Sequence, residues 1–276
     1  MFLKKFGLAA TLCSAVSAFS TAAMAAPQPW EIGFQPAASP VMKDIEDFHT
    51  FVLYIIIAIC ALVFGLLLWI IVRYNHRRNP VPGKVTHNTL LEVAWTIVPV
   101  IILVVIAVPS FKLLYYEADV PPADVTIEPI GHQWFWSYKY PANNFQFDSL
   151  ILSDADALKR GEPRLLGVDN PVVVPVNKVV RILTTGADVI HSWAVPAFGV
   201  KMDAIPGRLN ETWFEATALG TYYGQCSELC GARHAYMPIE VKVVSEGAYK
   251  AWLAGAKKKF ASITGPDGAR LAQAGR

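Results

Sequence analysis

Four side chains that bind soft metal ions lie within one short stretch of the chain: Cys226, Cys230, His234 and Met237, in the sequence CSELCGARHAYM. Thiolate, thioether and imidazole ligands together favour copper over magnesium, calcium or manganese. A mononuclear blue-copper site uses one cysteine, two histidines and a weak axial methionine, so this stretch has one cysteine more than such a site needs. Two thiolates can instead bridge two metal ions, with one histidine capping each ion.

The second histidine of a binuclear site must come from a distant part of the chain, and His191 in the sequence DVIHSWA is the best candidate. Two alternatives stay open on spacing alone. In an oxidising compartment, Cys226 and Cys230 could form a disulfide. Zinc also accepts cysteine and histidine, but it does not take methionine, so Met237 favours copper.

Two apolar runs, 51–72 and 93–114, are long enough to cross a bilayer and predict a pair of transmembrane helices. The whole chain is 54% hydrophobic and only 17% charged, as is typical of a membrane protein. Four arginine or lysine residues and no acidic residue lie between positions 73 and 84. The positive-inside rule places this connection in the cytoplasm, so both flanks of the hairpin are expected outside.

The N-terminus has the features of a secretory signal peptide. Lys4 and Lys5 precede an apolar stretch at about 6–19, and the sequence Ala23-Met24-Ala25 resembles a cleavage site. We therefore expect residues 1–25 to be removed and residues 26–119 to form an N-terminal segment with the membrane hairpin. An uncleaved anchor helix is the alternative, although the apolar stretch is short for a span.

Residues 120–244 have the pattern of an all-β sandwich or barrel. Short β-branched or alternating runs are separated by Pro, Gly, Asn and Asp, at 125–130, 171–176, 179–183, 212–216 and 239–244. Residues 245–276 are expected to form a helix to about Phe260, followed by a tail that begins near Thr264.

The charge of the predicted β domain argues against nucleic acid as a partner. Residues 119–244 contain 14 acidic and 10 basic residues, which gives a formal charge of −4. A basic protein or a cation fits that charge better.

Four segments together resemble cytochrome c oxidase subunit II. They are CSELCGARHAYMP at 226–238, GHQWFWSY at 131–138, HSWAVP at 191–196 and DAIPGRLN at 203–210, and they follow the two-helix hairpin. The resemblance covers nearly the whole mature chain. It implies a two-helix transmembrane hairpin, then an all-β cupredoxin-like Greek-key barrel with a C-terminal helix. It also implies a multi-pass protein of the bacterial inner membrane, with its C-terminal domain in the periplasm.

The resemblance also implies a binuclear copper site, called CuA. In the family's arrangement, Cys226 and Cys230 bridge two copper ions, and His191 and His234 cap one ion each. Met237 is a weak ligand to one copper, and the backbone carbonyl of Glu228 is a weak ligand to the other. The Glu228 carboxylate is expected at a magnesium site shared with subunit I, since magnesium prefers oxygen ligands, with a solvated loop acid as the alternative.

Three further residues have roles implied by the resemblance. Trp134 aligns with the tryptophan through which electrons enter from cytochrome c. Asp188 occupies a position linked with docking of cytochrome c, whose lysine-rich surface would be attracted by an acidic rim. Asp148, Glu162 and Asp169 are further candidates for that rim, with an ordinary solvated charge as the alternative for each. Glu92, at the start of the second membrane helix, stands where the family has the mouth of a proton channel in subunit I, although it could simply anchor the helix end.

The expected function is therefore electron entry into a haem–copper oxidase, in which subunit I, and not this chain, holds the haem and reduces oxygen. Subunits I and III, cytochrome c and membrane lipid are the expected partners. The chain has no C-x-x-C-H sequence, so no covalently attached haem c is expected. The rival functions are a membrane-tethered copper-delivery protein, a metal-free protein with a Cys226–Cys230 disulfide, and a nitrous oxide reductase domain, which the membrane helices argue against.

Overall fold

The structure is a computed structural model that describes residues 23–81 and 83–260. The predicted signal peptide lies almost entirely outside the described residues. Its last three residues form strand β1 (Ala23–Ala25), which runs parallel to a strand of the C-terminal domain. The predicted tail from Thr264 onward also lies outside them.

Two long apolar helices form the N-terminal part of the chain: α1 (Pro40–Arg73) and α2 (Thr89–Ala118). Both are long and apolar enough to span a membrane, and neither buries its apolar stretch within the chain. A helix that is apolar all round and not packed inside the protein is suited to lipid. Pro99 and Pro109 lie within α2, as lipid-embedded helices tolerate.

Both helices extend beyond the apolar runs at 51–72 and 93–114. Ser39 caps α1 by accepting a hydrogen bond from the Met42 amide at 3.0 Å, and Asn88 caps α2 by accepting one from the Leu91 amide at 3.2 Å. These caps satisfy amides that a helix end leaves without partners. Hydropathy marks only the lipid-facing part of each helix, so it could not show these polar first turns.

An all-β domain follows, with one short α-helix and three 3₁₀ turns inserted and one α-helix after it. Its elements are β2 (Val125–His132), β3 (Phe135–Tyr140), β4 (Phe145–Ser149), α3 (Asp154–Arg160), β5 (Val172–Pro175), β6 (Val179–Gly186), β7 (His191–Val195), β8 (Val200–Ala204), β9 (Asn210–Glu215), β10 (Gly220–Cys226), β11 (Pro238–Val244) and α4 (Glu246–Phe260).

The strands form two sheets that enclose a common core. One sheet has the order β5-β11-β10-β7-β8, with β1 added beside β10, and the other has the order β4-β3-β2-β6-β9. Most pairs are antiparallel, whereas β11 pairs with β5, β2 with β6 and β1 with β10 in parallel. The prediction of a membrane hairpin, an all-β domain and a C-terminal helix is confirmed.

Aromatic side chains hold α4 against the edge of the second sheet. Trp252 packs at 5.3 Å from Tyr140, and Phe260 packs at 4.8 Å from Phe147, between ring centroids. Tyr140 and Phe147 are almost completely buried. Burial of such large rings contributes strongly to the stability of the domain.

The membrane hairpin is docked onto the β domain at the start of α1. The Ala38 amide donates to the Ala197 carbonyl at 2.8 Å, and the Ser39 hydroxyl donates to the Phe198 carbonyl at 2.7 Å. Gly199, with a φ of +70°, brings the backbone of this turn against Met42. From α2, Tyr116 makes an edge contact with Trp213 of β9 at 5.5 Å. Both helices therefore contact the domain that follows them.

A substitution of Gly199 is expected to loosen this docking. An alanine Cβ at that position would lie 3.1 Å from the Met42 backbone, so Gly199→Ala should speed proteolysis of the full chain in detergent at residues 35–43. Gly207→Ala is the matched control, because Gly207 also has a positive φ, +74°, but has open space around it. Both variants carry a backbone cost of about 1 kcal/mol. Equal proteolysis of the two variants would show that the Met42 contact does not hold α1 in place.

Candidate metal centre

The sulfur and imidazole side chains of the centre are brought together by the pairing of β7 with β10. The two strands are antiparallel, with Cys226 opposite Trp193. His191 is the first residue of β7, and Cys226 is the last residue of β10. Residues 227–237 form the loop from β10 to β11, and this loop is closed by a hydrogen bond from the Cys226 amide to the Met237 carbonyl at 3.4 Å.

Within this arrangement the predicted ligand atoms lie close together. The Cys226 and Cys230 sulfurs are 3.9 Å apart, and His191 Nδ1 is 3.9 Å from the Cys226 sulfur. His234 Nδ1 and the Met237 sulfur each lie 3.5 Å from the Cys230 sulfur. The Glu228 carbonyl oxygen lies 3.3 Å from the Cys226 sulfur.

The donor set fits a soft metal ion. Both thiols are free, and their separation of 3.9 Å far exceeds the S–S bond of about 2.05 Å in a disulfide. The ligand atoms of His191, Cys226 and Cys230 all lie within 4.8 Å of one another, and all three residues are buried. Buried thiolate, imidazole and thioether groups facing one point suit copper.

The two thiols ionise at different pH because their surroundings differ. Burial raises the pKa of Cys226, but hydrogen bonds with His191 and the nearby backbone outweigh burial and bring that pKa below its ordinary value. Burial and the neighbouring Cys226 together raise the pKa of Cys230. Cys226 is therefore the thiol that first becomes a thiolate, the form that binds metal.

Asp188 orients the imidazole of His191. Its Oδ1 lies 2.8 Å from His191 Nε2, a distance at which the ring N–H donates to the carboxylate, so Nδ1 is left to face Cys226. The amides of Gln133 and Val189 also donate to this carboxylate, each at 2.7 Å. Although burial opposes it, these hydrogen bonds hold the pKa of Asp188 below its ordinary value. A carboxylate behind a ligand histidine is the common support of metal sites.

The turn between β2 and β3 fixes the ligand loop from the other side. Gln133 Nε2 donates to the Cys230 carbonyl at 2.8 Å, and the indole N–H of Trp134 donates to the same oxygen at 3.3 Å. Trp134 is partly buried and packs on the core. Behind the site, the Trp136 indole donates to the Met237 carbonyl at 3.3 Å.

Two glycines make room for the site. A Cβ on Gly131 would lie 2.6 Å from the His191 ring, and a Cβ on Gly224 would collide with the Ala194 carbonyl. Neither glycine, nor Gln133, could be assigned to the site from the sequence. Gly131 and Gln133 do lie in the GHQW segment, but their contacts depend on how the strands pack.

The remaining predicted residues lie outside this cluster. The Glu228 side chain is exposed at the surface of the ligand loop. Glu92 lies in the first turn of α2, at the end of the hairpin far from the β domain. Glu162, one of the acids predicted for the rim, is only 13% exposed and lies 3.3 Å from Lys242, which also pairs with Glu240 at 3.0 Å, so little of its carboxylate is presented at the surface.

Family models match both parts of the chain. The model described as "Cytochrome C oxidase subunit II, periplasmic domain" matches residues 125–244, and the one described as "Cytochrome C oxidase subunit II, transmembrane domain" matches residues 27–113. The chain belongs to the cytochrome c oxidase subunit II family. It is therefore a membrane-bound component of a haem–copper oxidase, as the sequence predicted.

Two relatives of similar length support the family assignment, and one solved domain is also similar. A probable cytochrome c oxidase subunit 2 of Rickettsia bellii is 52% identical over 237 residues, which cover 86% of this chain and 88% of the relative. Cytochrome c oxidase subunit 2 of Cereibacter sphaeroides is 47% identical over 264 residues, which cover 90% and 87%. The solved periplasmic domain of subunit II of cytochrome oxidase of Bradyrhizobium japonicum is 60% identical, with a TM-score of 0.48, and the match covers 51% of this chain and 99% of that domain.

Removal of the Asp188 carboxylate is expected to weaken metal binding. Asp188→Ala leaves the His191 ring without the acceptor that orients it, so copper affinity should fall about 10- to 100-fold. Competition with a copper chelator measures this change. Glu246→Ala is the control, because Glu246 pairs with Lys250 within α4, which packs on β3 and β4 rather than on the ligand loop. If Asp188→Ala left the copper affinity unchanged and weakened only the binding of cytochrome c, Asp188 would act in docking and not in metal binding.

Proposed function

We propose that this subunit II chain holds a binuclear copper centre that receives electrons from cytochrome c and passes them to haem in subunit I. The observation that carries the proposal is the convergence of two free thiols, two imidazoles, a thioether and a carbonyl oxygen at one largely buried point. Oxygen reduction and proton pumping would take place in the partner subunit.

The side chains of the cluster divide into bridging, capping and weak ligands. Cys226 and Cys230 would bridge the two copper ions, while His191 and His234 would cap one ion each. Met237 and the Glu228 carbonyl would be weak ligands. When bound, such a copper pair supplies a one-electron carrier whose geometry changes little with its redox state. These residues account for every soft donor of the ligand loop.

The protein contributes rigid placement and exclusion of water. His191 is completely buried, and Met237 is 1% exposed, so water has little access to the inner side of the site. The ligand loop is anchored at the Cys230 carbonyl by Gln133 and Trp134 and at the Met237 carbonyl by Trp136. Ligands held in this way need little rearrangement when charge is gained or lost.

Trp134 is the proposed point of electron entry. Its indole reaches from the partly exposed surface to the Cys230 carbonyl, which belongs to a ligand residue. The net acidic β domain would attract the lysine-rich cytochrome c, with Asp188 as one contributor. Association should therefore be faster at low ionic strength.

Two further roles would connect the chain to subunit I. The exposed Glu228 carboxylate is free to contribute an oxygen ligand to a magnesium ion at the subunit boundary. Glu92, at the opposite end of the hairpin, would stand at the mouth of a proton channel. The domain with the copper site would face the periplasm from the bacterial inner membrane, in agreement with the basic connection between the two helices.

An electron paramagnetic resonance spectrum tests the copper centre. In the fragment from Val120 onward, Cys226 and Cys230 are the only cysteines. After copper reconstitution and oxidation, we expect the hyperfine pattern of one electron shared equally by two copper nuclei. Cys230→Ser should convert it to a mononuclear pattern, because one bridging thiolate is lost. A mononuclear signal from the wild-type fragment, or none with the two cysteines bridged, would refute the proposal.

Retention of the metal separates the proposal from copper delivery. A delivery protein must release copper to an acceptor, whereas an electron-transfer centre keeps it. We expect the reconstituted fragment to keep both copper ions during prolonged incubation with an apo-cupredoxin acceptor. Ready transfer of copper to the acceptor would favour the delivery function.

Replacement of Trp134 tests the entry route. Trp134→Phe removes the indole that reaches the Cys230 carbonyl but leaves the ligands in place. We expect slower electron entry from cytochrome c in the complete oxidase, with unchanged copper content and unchanged spectrum. Stopped-flow reduction of the copper centre measures the rate, and Trp252→Phe on α4 is the control. An unchanged rate in Trp134→Phe would show that electrons enter elsewhere.

A further inference from the structure

A recess opens between α1 and α2 at the end of the hairpin next to the β domain. It has a volume of about 600 Å³ and is lined by two facing stripes at helical spacing. The stripe on α1 consists of Asp44, Asp47, Phe48 and Phe51, and the stripe on α2 consists of Pro109, Lys112, Leu113 and Tyr116.

The lining changes from polar to apolar with depth. α1 enters the membrane from the side of the β domain, and α2 returns to that same side. Asp44 and Tyr116 therefore lie nearest the membrane surface, and Phe51 and Pro109 lie deepest in the bilayer. The step from Asp44 to Phe51 is about 10 Å along the helix axis. Lys112 lies between these levels, at the end of the predicted apolar run. The recess therefore spans the transition from the headgroup layer to the hydrocarbon of a bilayer.

Two opposite charges in the recess are available to a ligand. Asp47 is already paired with Lys43, with a distance of 2.7 Å between the charged atoms. Asp44 and Lys112, in contrast, make no hydrogen bond or ion pair with any other residue that the structure describes. A cationic group would be attracted to Asp44, and an anionic group to the deeper Lys112.

We propose that this recess binds a zwitterionic phospholipid of the phosphatidylethanolamine type. Its ammonium group pairs with Asp44, its phosphate pairs with Lys112, and an acyl chain covers Phe48, Phe51 and Leu113. The order of these groups in the lipid, from ammonium through phosphate to hydrocarbon, matches the order of the lining from the surface inwards. The proposal is independent of the copper centre.

Charge complementarity favours this occupant over two others. An anionic lipid such as phosphatidylglycerol could also place its phosphate at Lys112, but it has no ammonium group for Asp44 and would leave that carboxylate unpaired. An apolar helix of another subunit would cover Asp44 and Lys112 without pairing them, and burial of unpaired charges is costly. Only a headgroup that carries both charges satisfies both side chains.

Photolabelling of the complete oxidase complex tests the proposal. The purified complex is reconstituted in one host bilayer with a trace of either phosphatidylethanolamine or phosphatidylglycerol, each with a photoactivatable acyl chain. Mass spectrometry then locates the labelled peptides. We expect the ethanolamine lipid to label 48–51 and 109–113 in preference to the glycerol lipid. Unlabelled ethanolamine lipid should compete more effectively than unlabelled glycerol lipid, a comparison that needs no variant.

Substitutions identify the two charges. Asp44→Asn should lower labelling by the ethanolamine lipid about fivefold and remove the preference between the two lipids. Lys112→Gln should lower labelling by both lipids, because both carry the phosphate. Glu46→Gln is the matched control, since Glu46 lies on the same turn of α1 but outside the recess, and it should retain wild-type labelling.

Three results would overturn the proposal. The first is equal labelling and competition by the two lipids in the wild-type complex. The second is a preference that persists in Asp44→Asn. The third is labelling of the recess in the isolated chain but not in the complete complex, which would show that another subunit fills it.

Discussion

The close approach of β10 to β7 is the contact on which the metal centre depends. At Gly224 the backbone of β10 lies so near the Ala194 carbonyl that no side chain could be accommodated. Two residues later β10 ends at Cys226, and β7 begins at His191, so the pairing sets an imidazole beside a thiol that lies 35 residues away in the chain. The ligand loop follows directly, and its remaining donors can reach the same point because β11 returns beside β10.

Once the strands are paired, hydrogen bonds rather than packing alone determine how the ligands face. Asp188 accepts a hydrogen bond from one ring nitrogen of His191, so the other nitrogen faces the thiols. The turn between β2 and β3 holds both sides of the site: the Gln133 amide donates to Asp188, and the Gln133 side chain donates to the Cys230 carbonyl. A loop of this length would ordinarily be among the mobile parts of a domain. Here its carbonyl groups accept hydrogen bonds from side chains of the β2–β3 turn and β3, so the loop is anchored with both thiols buried.

The chain has a lipid-facing part and a water-facing part, and specific hydrogen bonds connect the two. The long helices expose apolar side chains over most of their length, as lipid requires, whereas the β domain encloses its aromatic residues. Ser39 serves both parts, because it caps α1 and also donates to the Phe198 carbonyl of the β domain. The metal centre is therefore carried on a domain whose position relative to the membrane helices is set by specific hydrogen bonds.

The sequence by itself indicated the candidate metal-binding side chains and determined the membrane hairpin, the C-terminal helix and the β class of the domain, because donor type, spacing and hydrophobic period are local properties. It located five strands but missed β1, β3, β4, β7, β8 and β10; β7 is buried along its whole length and therefore shows no alternation. The tertiary structure alone decided that Asp188 supports His191, that Gln133 and Trp134 hold the Cys230 carbonyl, and that Glu162 is paired within the domain. Those contacts join residues 3 to 97 positions apart, and most of them depend on how the strands pair. Strand pairing is set by the packing of the whole core, so no local sequence pattern specifies it.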